Sequence, residues 1–334
     1  MIRTPRHWYQ RRPRRLGVGR LAAAPLAWLW AALTAARLAR GEPIDPGVPV
    51  ICVGNLTLGG AGKTPVARAL AKRLAATRTV HILMRGHGGR LAGPVRVDPA
   101  RHSAAEVGDE ALMMASDAPV WIARDRAAGA RAAVAAGAQV VVMDDGHQNP
   151  ALAKALSLIV VDGETRDDEW PFGDGHVFPA GPMREPLGAG LARADAVVLL
   201  LPADLPAPDP ELVDLFAGKT VLIARLEATR PPPSGPQVGF AGIGKPWKME
   251  RALRAAGCDL VDFAPLADHQ PLDEAILRFL ADRAAALGAG LVTSEKDWAR
   301  LPPEWRERVV AWPVAAAFED EAAIDALLAK ALAP

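Results

Sequence analysis

The feature that most limits the possible folds of this chain is a glycine-rich string between an apolar segment and a helical one. The string reads Gly59-Gly60-Ala61-Gly62-Lys63-Thr64. Residues 48–53 before it predict a buried strand, and Pro65-Val66-Ala67 after it predicts the start of a helix. Glycines let backbone N–H groups converge on phosphate oxygens, and a helix N-terminus favours anions. This context predicts a phosphate-binding loop in an α/β fold.

The loop departs from the strict phosphate-loop spacing, because Thr57 stands where the first glycine is expected. In such loops the lysine, here Lys63, reaches the β- and γ-phosphates, and the hydroxyl of Thr64 binds Mg²⁺. A chance Gly-Lys-Thr string is the alternative, and the strand and helix around it argue against that. The predicted nucleotide-binding residues are Asn55, Leu56, Thr57, Leu58, Gly59, Gly60, Ala61, Gly62, Lys63 and Thr64.

Apolar runs alternate with Ala- and Arg-rich helical segments through most of the chain. Residues 48–53, 80–84, 140–143, 158–161 and 197–201 predict buried strands, and segments 65–76, 109–115 and 124–136 predict helices. Continuous apolar strands separated by helices are typical of a parallel sheet covered on both faces. We therefore predict an α/β fold like that of P-loop NTPases. A linker rich in proline and glycine at 41–49 and further prolines on both sides of residue 229 predict two boundaries. They divide the chain into a basic arm and helix (1–40), a phosphate-loop domain (41–228) and a smaller α/β domain (229–334).

The N-terminus combines a basic arm with an uncharged apolar segment. Arg3, Arg6, Arg11, Arg12, Arg14 and Arg15 precede residues 21–36, which contain Trp28 and Trp30. Arginines beside an indole-bearing helix favour association with an anionic membrane surface. A signal peptide and an ordinary buried helix are the alternatives. We expect the chain to be anchored at, or peripheral to, a membrane surface through this helix.

The overall composition narrows the possible partners. The formal net charge of +1 gives no general case for nucleic-acid binding, and no obligate protein partner is evident. The two cysteines, Cys52 and Cys258, form no disulfide framework and no zinc motif, which fits a reducing compartment.

Acidic residues at strand and helix ends are the candidates for metal binding and proton transfer. Asp144 and Asp145 end an apolar strand, the usual place for a carboxylate that holds Mg²⁺, and either could do so. Asp109 lies at a helix start, where the helix dipole alone could explain it, or it could act as a general base. Arg85 opens a basic loop that could hold an anionic substrate.

Taken together, these strings resemble the tetraacyldisaccharide 4′-kinase family of lipid A biosynthesis. The matching strings are Val53-Gly54-Asn55-Leu56-Thr57, Gly62-Lys63-Thr64-Pro65, Arg85-Gly86-His87-Gly88, Gly108-Asp109-Glu110, Asp144-Asp145-Gly146-His147-Gln148, Pro179-Ala180-Gly181-Pro182-Met183-Arg184-Glu185, Gly242-Ile243-Gly244, Ala267-Asp268-His269-Gln270 and Glu295-Lys296-Asp297. They run in the family's order to about residue 300, and Thr57 is itself part of the family pattern. Two positions depart from it: His87 replaces a tyrosine and His147 a leucine.

The resemblance implies two α/β/α domains closing on a cleft. It also implies ATP- and Mg²⁺-dependent phosphorylation of the 4′-hydroxyl of a lipid A disaccharide precursor at the cytoplasmic face of the bacterial inner membrane. By matching position, Asp109 and His269 would remove the hydroxyl proton, with Lys63 offsetting charge. Arg85, Arg184 and Glu185 would contact substrate, although Arg184 could instead meet a nucleotide phosphate.

Two other classes of protein are alternatives to a kinase as interpretations of this sequence. A P-loop GTPase normally reads guanine with Asn-Lys-x-Asp, and Ser294-Glu295-Lys296-Asp297 fails that spacing. A membrane-bound ATP sensor without catalysis would not need Asp109 and His269 together.

Overall fold

The computed structural model describes residues 6–11 and 18–333. The arm residues Arg3, Arg12, Arg14 and Arg15 lie outside this described part. The helices are α1 (Val18–Ala39), α2 (Lys63–Leu74), α3 (Ala104–Val107), α4 (Asp109–Met114), α5 (Arg126–Ala135), α6 (Leu187–Ala192), α7 (Pro210–Asp214), α8 (Pro246–Ala255), α9 (Glu274–Ala286), α10 (Glu295–Ala299), α11 (Pro303–Arg306) and α12 (Glu321–Ala331). Short 3₁₀ turns cover Arg6–Tyr9 and Arg166–Asp168.

Thirteen strands in the described residues form two sheets. They are β1 (Val50–Gly54), β2 (Val80–Met84), β3 (Val95–Arg96), β4 (Val120–Ile122), β5 (Val140–Asp144), β6 (Leu156–Asp162), β7 (Ala196–Pro202), β8 (Thr220–Ala228), β9 (Gln237–Ala241), β10 (Leu260–Pro265), β11 (Gly290–Ser294), β12 (Val309–Trp312) and β13 (Val314–Phe318). The larger sheet has the order β13-β8-β7-β6-β1-β5-β2-β4-β3, and the smaller one β10-β9-β11-β12.

The larger sheet is parallel except at its two edges, where β13 pairs antiparallel with β8 and β3 with β4. Its central strands are buried on both faces, because Ile51 and Val53 pack with α2 and α12 while Val50 and Cys52 pack with α5. The predicted doubly covered parallel sheet is confirmed. The smaller sheet is parallel throughout and supplies the second α/β unit.

The order in which successive strands are added to the larger sheet reverses beside β1, and this reversal determines where a ligand-binding crevice can form. From β1 the chain crosses to β2 beyond β5, whereas β6, β7 and β8 extend the sheet the other way. A crevice forms at such a switch point, outside the carboxyl ends of the strands. The loop after β1 opens into it.

The C-terminal part of the sequence-based division needs one correction. The predicted unit 229–334 is not confined to the smaller sheet, because β13 returns to pair with β8 and α12 packs on the larger sheet. The segment Val314–Phe318 is alanine-rich and follows a proline, so its composition did not indicate a strand. The short strand β4 was also missed, since three residues carry too little periodicity.

Helix α1 is longer than the predicted residues 21–36. At 22 residues it is about 33 Å long, comparable to the roughly 30 Å hydrocarbon core of a bilayer. Within the described residues it is the one helix long and apolar enough to cross a membrane. Ala27 and Thr34 are buried, whereas Trp28 and Leu33 are 73% and 62% exposed. One side of α1 therefore lies on the protein and the other presents apolar side chains to the surroundings.

Candidate active site

The phosphate-binding loop connects β1 to the first residue of α2. Gly59 and Gly62 have φ of +86° and +80°, a region that glycine adopts without strain. A Cβ on Gly62 would also lie 2.1 Å from a side-chain carbon of Leu200, so space demands glycine there as well. Beneath the loop, Asn55 Nδ2 donates to the Thr57 carbonyl at 2.9 Å and Asn55 Oδ1 accepts from Lys63 at 3.3 Å. These contacts fix the curvature of the loop.

The ten predicted nucleotide-binding residues fall into two groups. Gly59, Gly60, Ala61, Gly62, Lys63 and Thr64 line a cavity of about 560 Å³ between the two sheets. Asn55, Leu56 and Thr57 are buried behind the loop and Leu58 is half-buried. The structure therefore places the first four residues of the predicted set as support for the loop rather than as cavity walls.

The two acidic residues after β5 have different surroundings. Asp144 is buried, and its Oδ2 accepts from the Thr64 hydroxyl at 3.0 Å while Oδ1 has no partner among the described residues. Burial, followed by the nearby charge of Glu110, raises the pKa of Asp144 to about 7. Asp145 instead lies 2.6 Å from Arg184 and 3.6 Å from Lys63. Burial works against its ionisation, but these two cations outweigh burial and hold the pKa of Asp145 well below its usual range.

A carboxylate of the larger unit and a histidine of the smaller unit form a hydrogen bond beside the cavity, and the histidine lines it. Asp109 is the first residue of α4, and its Oδ2 lies 2.7 Å from Nδ1 of His269 in the loop after β10. Nε2 of His269 lies 3.1 Å from the Lys296 ammonium, which also approaches Glu110 at 3.3 Å. An ammonium only donates, so Nε2 is the unprotonated nitrogen and Nδ1 carries the hydrogen toward Asp109.

The pair shifts the pKa of both members. The hydrogen bond that His269 donates to Asp109 raises the pKa of His269 above its ordinary value, although burial and the Lys296 charge oppose the shift. Burial raises the pKa of Asp109, but the bond from His269 and the Lys296 charge outweigh it and the net pKa is lowered. Asp109 is therefore an ionised carboxylate that favours the protonated form of His269 once its ring takes up a second proton.

Of the three residues predicted to contact substrate, one lines the cavity and two do not. Arg184 lines the cavity, whereas Glu185 is buried and bonds to Arg193 at 2.6 Å and Gln148 at 3.0 Å. Arg85 is exposed after β2, outside the residues that line the cavity.

The two positions that depart from the family pattern also differ in their surroundings. His87 lines the cavity, with its ring 5.7 Å from that of His269. His147 is a packing residue: it contacts Ser157 and the Gly190 carbonyl, and burial lowers its pKa to about 4.

The sequence analysis missed a second group of charges in the cavity. Asp162 ends β6 and bonds to Lys245 and Lys248 of the smaller unit, each at 2.6 Å. Glu164 likewise accepts from Arg251 at 2.7 Å. These ion pairs join the two units, and the residues that form them line the cavity. The available signal was the acidic Asp162-Gly163-Glu164 string at the carboxyl end of a predicted strand.

Comparisons with known proteins identify the family. The family model for tetraacyldisaccharide-1-P 4′-kinase matches residues 20–333. The chain belongs to this family. It is 68% identical over 327 residues to a tetraacyldisaccharide 4′-kinase of Phenylobacterium zucineum, covering 98% of both chains. It is 63% identical over 326 residues to one from Caulobacter vibrioides, covering 97% of both.

Comparison with a solved structure supports the same family. The crystal structure of LpxK from Aquifex aeolicus in complex with ATP superposes with a TM-score of 0.73 at 25% identity, covering 95% of this chain and all of that one. The predicted family, α/β fold and kinase activity are thereby confirmed.

Proposed function

We propose that this kinase transfers the γ-phosphoryl group of ATP to the 4′-hydroxyl of a tetraacyldisaccharide 1-phosphate, using Mg²⁺, at a membrane surface. The observation that carries the residue assignment is a single cavity lined by both the phosphate-binding loop and His269, the histidine that is hydrogen-bonded to Asp109. Phosphoryl transfer depends mainly on alignment and charge neutralisation, with a positioned base for the incoming hydroxyl. The cavity offers a candidate for each of these tasks.

The loop and Lys63 would bind the triphosphate. Backbone N–H groups of residues 59–62 lie at the N-terminus of α2, where the helix dipole favours anions. The Lys63 ammonium is now shared between Asn55 and Asp145, at 3.3 and 3.6 Å. It can reach the β- and γ-oxygens and offset the negative charge that shifts toward the leaving oxygen during transfer.

The residues beside the loop fit Mg²⁺. Mg²⁺ prefers oxygen ligands and usually takes one or two carboxylates together with substrate phosphates. Thr64 supplies a hydroxyl, and Oδ1 of Asp144 supplies a carboxylate oxygen that has no hydrogen-bond partner in the described residues. We assign Thr64 and Asp144 as ligands and leave Asp145 to orient Arg184 and Lys63. When bound, the ion would draw charge from the phosphate oxygens.

This assignment predicts different effects for two isosteric changes. Asp144→Asn should raise the Mg²⁺ concentration for half-maximal activity about tenfold or more, because it removes a charged ligand. Asp145→Asn, the matched control, should change the KM for ATP with little change in the Mg²⁺ requirement. The measurement is a Mg²⁺ titration of initial rates at saturating ATP. The opposite pattern would exchange the roles of the two residues.

The Asp109–His269 pair would act as the general base. The hydroxyl of a sugar is a weak nucleophile, and removing its proton during attack speeds transfer. The pair can take up that proton because Asp109 stabilises the charged imidazolium. We assign the base function to the pair rather than to either residue alone.

Cationic side chains would hold the anionic parts of the substrates. Arg184 lines the cavity, and its Nε donates to the Thr57 carbonyl at 2.9 Å. That contact points the guanidinium toward the loop, so we assign Arg184 to a phosphate group. Arg85 stays a prediction as a substrate contact. Glu185 is better placed to hold Arg193 and Gln148 behind the loop.

Helix α1 would bring the site to a bilayer that holds the acylated acceptor. Its outer face carries Leu26, Trp28, Leu29 and Leu33, all at least 47% exposed. Its inner face contacts the body, where the Trp30 indole donates to the Arg184 carbonyl at 3.1 Å. Because the inner face of α1 packs against the protein, lipid cannot surround the helix. We therefore propose that α1 lies in the interface of the inner membrane rather than crossing it.

The membrane proposal predicts a loss of vesicle binding when the outer face is charged. Trp28→Asp combined with Leu33→Asp should weaken co-sedimentation with phosphatidylglycerol vesicles at least tenfold, because charges are costly in the apolar layer. Phe279→Asp changes an equally exposed residue on α9 and serves as the control. Unchanged sedimentation of the double variant would rule out α1 as the membrane contact.

A further inference from the structure

A short N-terminal segment lies against the body beside the phosphate-binding loop. We call residues 6–11 the strap. Trp170 N donates to the Tyr9 carbonyl at 2.6 Å and Arg11 N to the Asp168 carbonyl at 2.9 Å. The strap therefore pairs with residues 168–170 in the way that a strand adds to the edge of a sheet. Trp8 and Tyr9 are both buried, at 9% and 7% exposure. The strap is thus packed into the protein, although the sequence analysis assigned its basic residues to a membrane surface.

The side chain of Arg11 anchors the strap. It bonds to Asp209 at 2.7 Å and to Glu211 at 2.5 Å, and its guanidinium lies 4.3 Å from the centre of the Trp170 ring. Asp209 is the N-cap of α7 and is thereby fixed in position itself. Two charge-assisted contacts and a stacked ring hold the end of the strap to the larger unit.

Tyr9 links this anchored strap to the phosphate-binding loop. Its hydroxyl donates a hydrogen bond to the carbonyl of Leu58, the residue immediately before Gly59. Leu58 N donates to the Pro182 carbonyl at 2.8 Å, so both backbone polar groups of Leu58 are held. The peptide that leads into the glycines is therefore fixed from two sides, and one of the two contacts comes from the strap.

The same ring lies at the junction with the smaller unit. Lys245 Nζ is 4.9 Å from the centre of the Tyr9 ring and bonds to Asp162. Next to Lys245, a Cβ on Gly244 would come within 3.0 Å of the backbone nitrogen of Gly60. Tyr9 thus occupies the point where the strap, the loop and the smaller unit meet.

We propose that Tyr9 is a positioning residue for the phosphate-binding loop, acting through the Leu58 carbonyl to favour nucleotide binding. The inference rests on the proposed role of the loop in holding ATP. Glycines at 59, 60 and 62 give the loop high conformational freedom, which binding would have to restrict. A loop that is already ordered by a neighbouring hydrogen bond binds its ligand more tightly, since less entropy is lost on binding.

Tyr9→Phe tests this directly, because it removes the hydroxyl and keeps the ring. We expect the KM for ATP to rise about fivefold, the effect of one lost hydrogen bond, with the KM for the lipid acceptor unchanged. Amide hydrogen exchange of the segment 55–62 should accelerate, while exchange in β11 of the smaller sheet should not. Trp8→Phe is the matched control: its ring meets Phe178 rather than the loop, so the KM for ATP should not change.

A second readout uses the fact that Tyr9 is the single tyrosine of the chain. Uniform labelling with 3-fluorotyrosine gives one fluorine resonance, and we expect ATP with Mg²⁺ to shift it. An unchanged KM for ATP and unchanged loop exchange in Tyr9→Phe would overturn the inference. So would a lowered melting temperature with loss of kcat at constant KM, which would make Tyr9 merely structural.

Lys63→Met separates this inference from the proposed function. If Lys63→Met abolishes turnover and Tyr9→Phe is unchanged, only the inference about Tyr9 fails. If Lys63→Met keeps full activity, the role of the loop itself is wrong.

Discussion

Replacing Lys63 with methionine is expected to lower kcat/KM by about a thousandfold while the fold stays intact. Methionine keeps the length of the side chain and removes its charge, and a cation directed at developing negative charge is among the largest contributions to phosphoryl transfer. Asp145 would keep its contact with Arg184 at 2.6 Å, so the loss should not leave an isolated carboxylate. Initial rates with labelled ATP, together with thermal unfolding, measure both effects.

Lys72→Met is the matched control, because Lys72 is an exposed residue of the same helix α2. It should retain near-full activity. If Lys63→Met were as active as Lys72→Met, the phosphate-binding role of the loop would be refuted.

Asp109→Asn should lower kcat by about a hundredfold or more and leave the KM for ATP nearly unchanged. The change keeps the shape of the side chain but removes the acceptor charge that stabilises a protonated His269, and a positioned base contributes about 10²- to 10⁴-fold. Asp273→Asn, which retains a good N-cap on α9, controls for the loss of an acidic residue. Near-wild-type turnover in Asp109→Asn would remove the pair from the mechanism.

The pH profile of the same variant gives an independent check. In the wild type, kcat/KM should fall as the pH drops through the pKa of His269, which lies above its ordinary value because of Asp109. Once protonated, the pair cannot accept the hydroxyl proton. Asp109→Asn removes the largest contribution that raises this pKa, so the acid limb of the remaining activity should move to lower pH. An acid limb that does not move would show that His269 is not the titrating group.

Much of the fold could be predicted because its strands are buried on both faces. Val80–Met84 has the bounds that its apolar run predicted, and Val140–Asp144 exceeds its predicted run by one residue. The errors fall where local pattern is weak. Strand β4 has three residues, and β13 owes its strand conformation to pairing with β8 rather than to its alanine-rich sequence.

The site was predicted only in part, because long-range pairing leaves no local signal. The loop and the acids after β5 follow from strand and helix context. Asp109 and His269, 160 residues apart, were paired through the family resemblance, and the structure places them 2.7 Å apart. The distinct environments of Asp144 and Asp145, and the bond from Tyr9 to the loop, depend on packing that no single segment encodes.

The most direct test of this account follows the labelled phosphoryl group. The protein is incubated with γ-labelled ATP, Mg²⁺ and tetraacyldisaccharide 1-phosphate, and label is counted in the lipid and in inorganic phosphate. We predict label in the lipid in equal amount to the ADP formed, and loss of that label in Asp109→Asn. Label released only as inorganic phosphate, with the lipid unlabelled, would contradict the account.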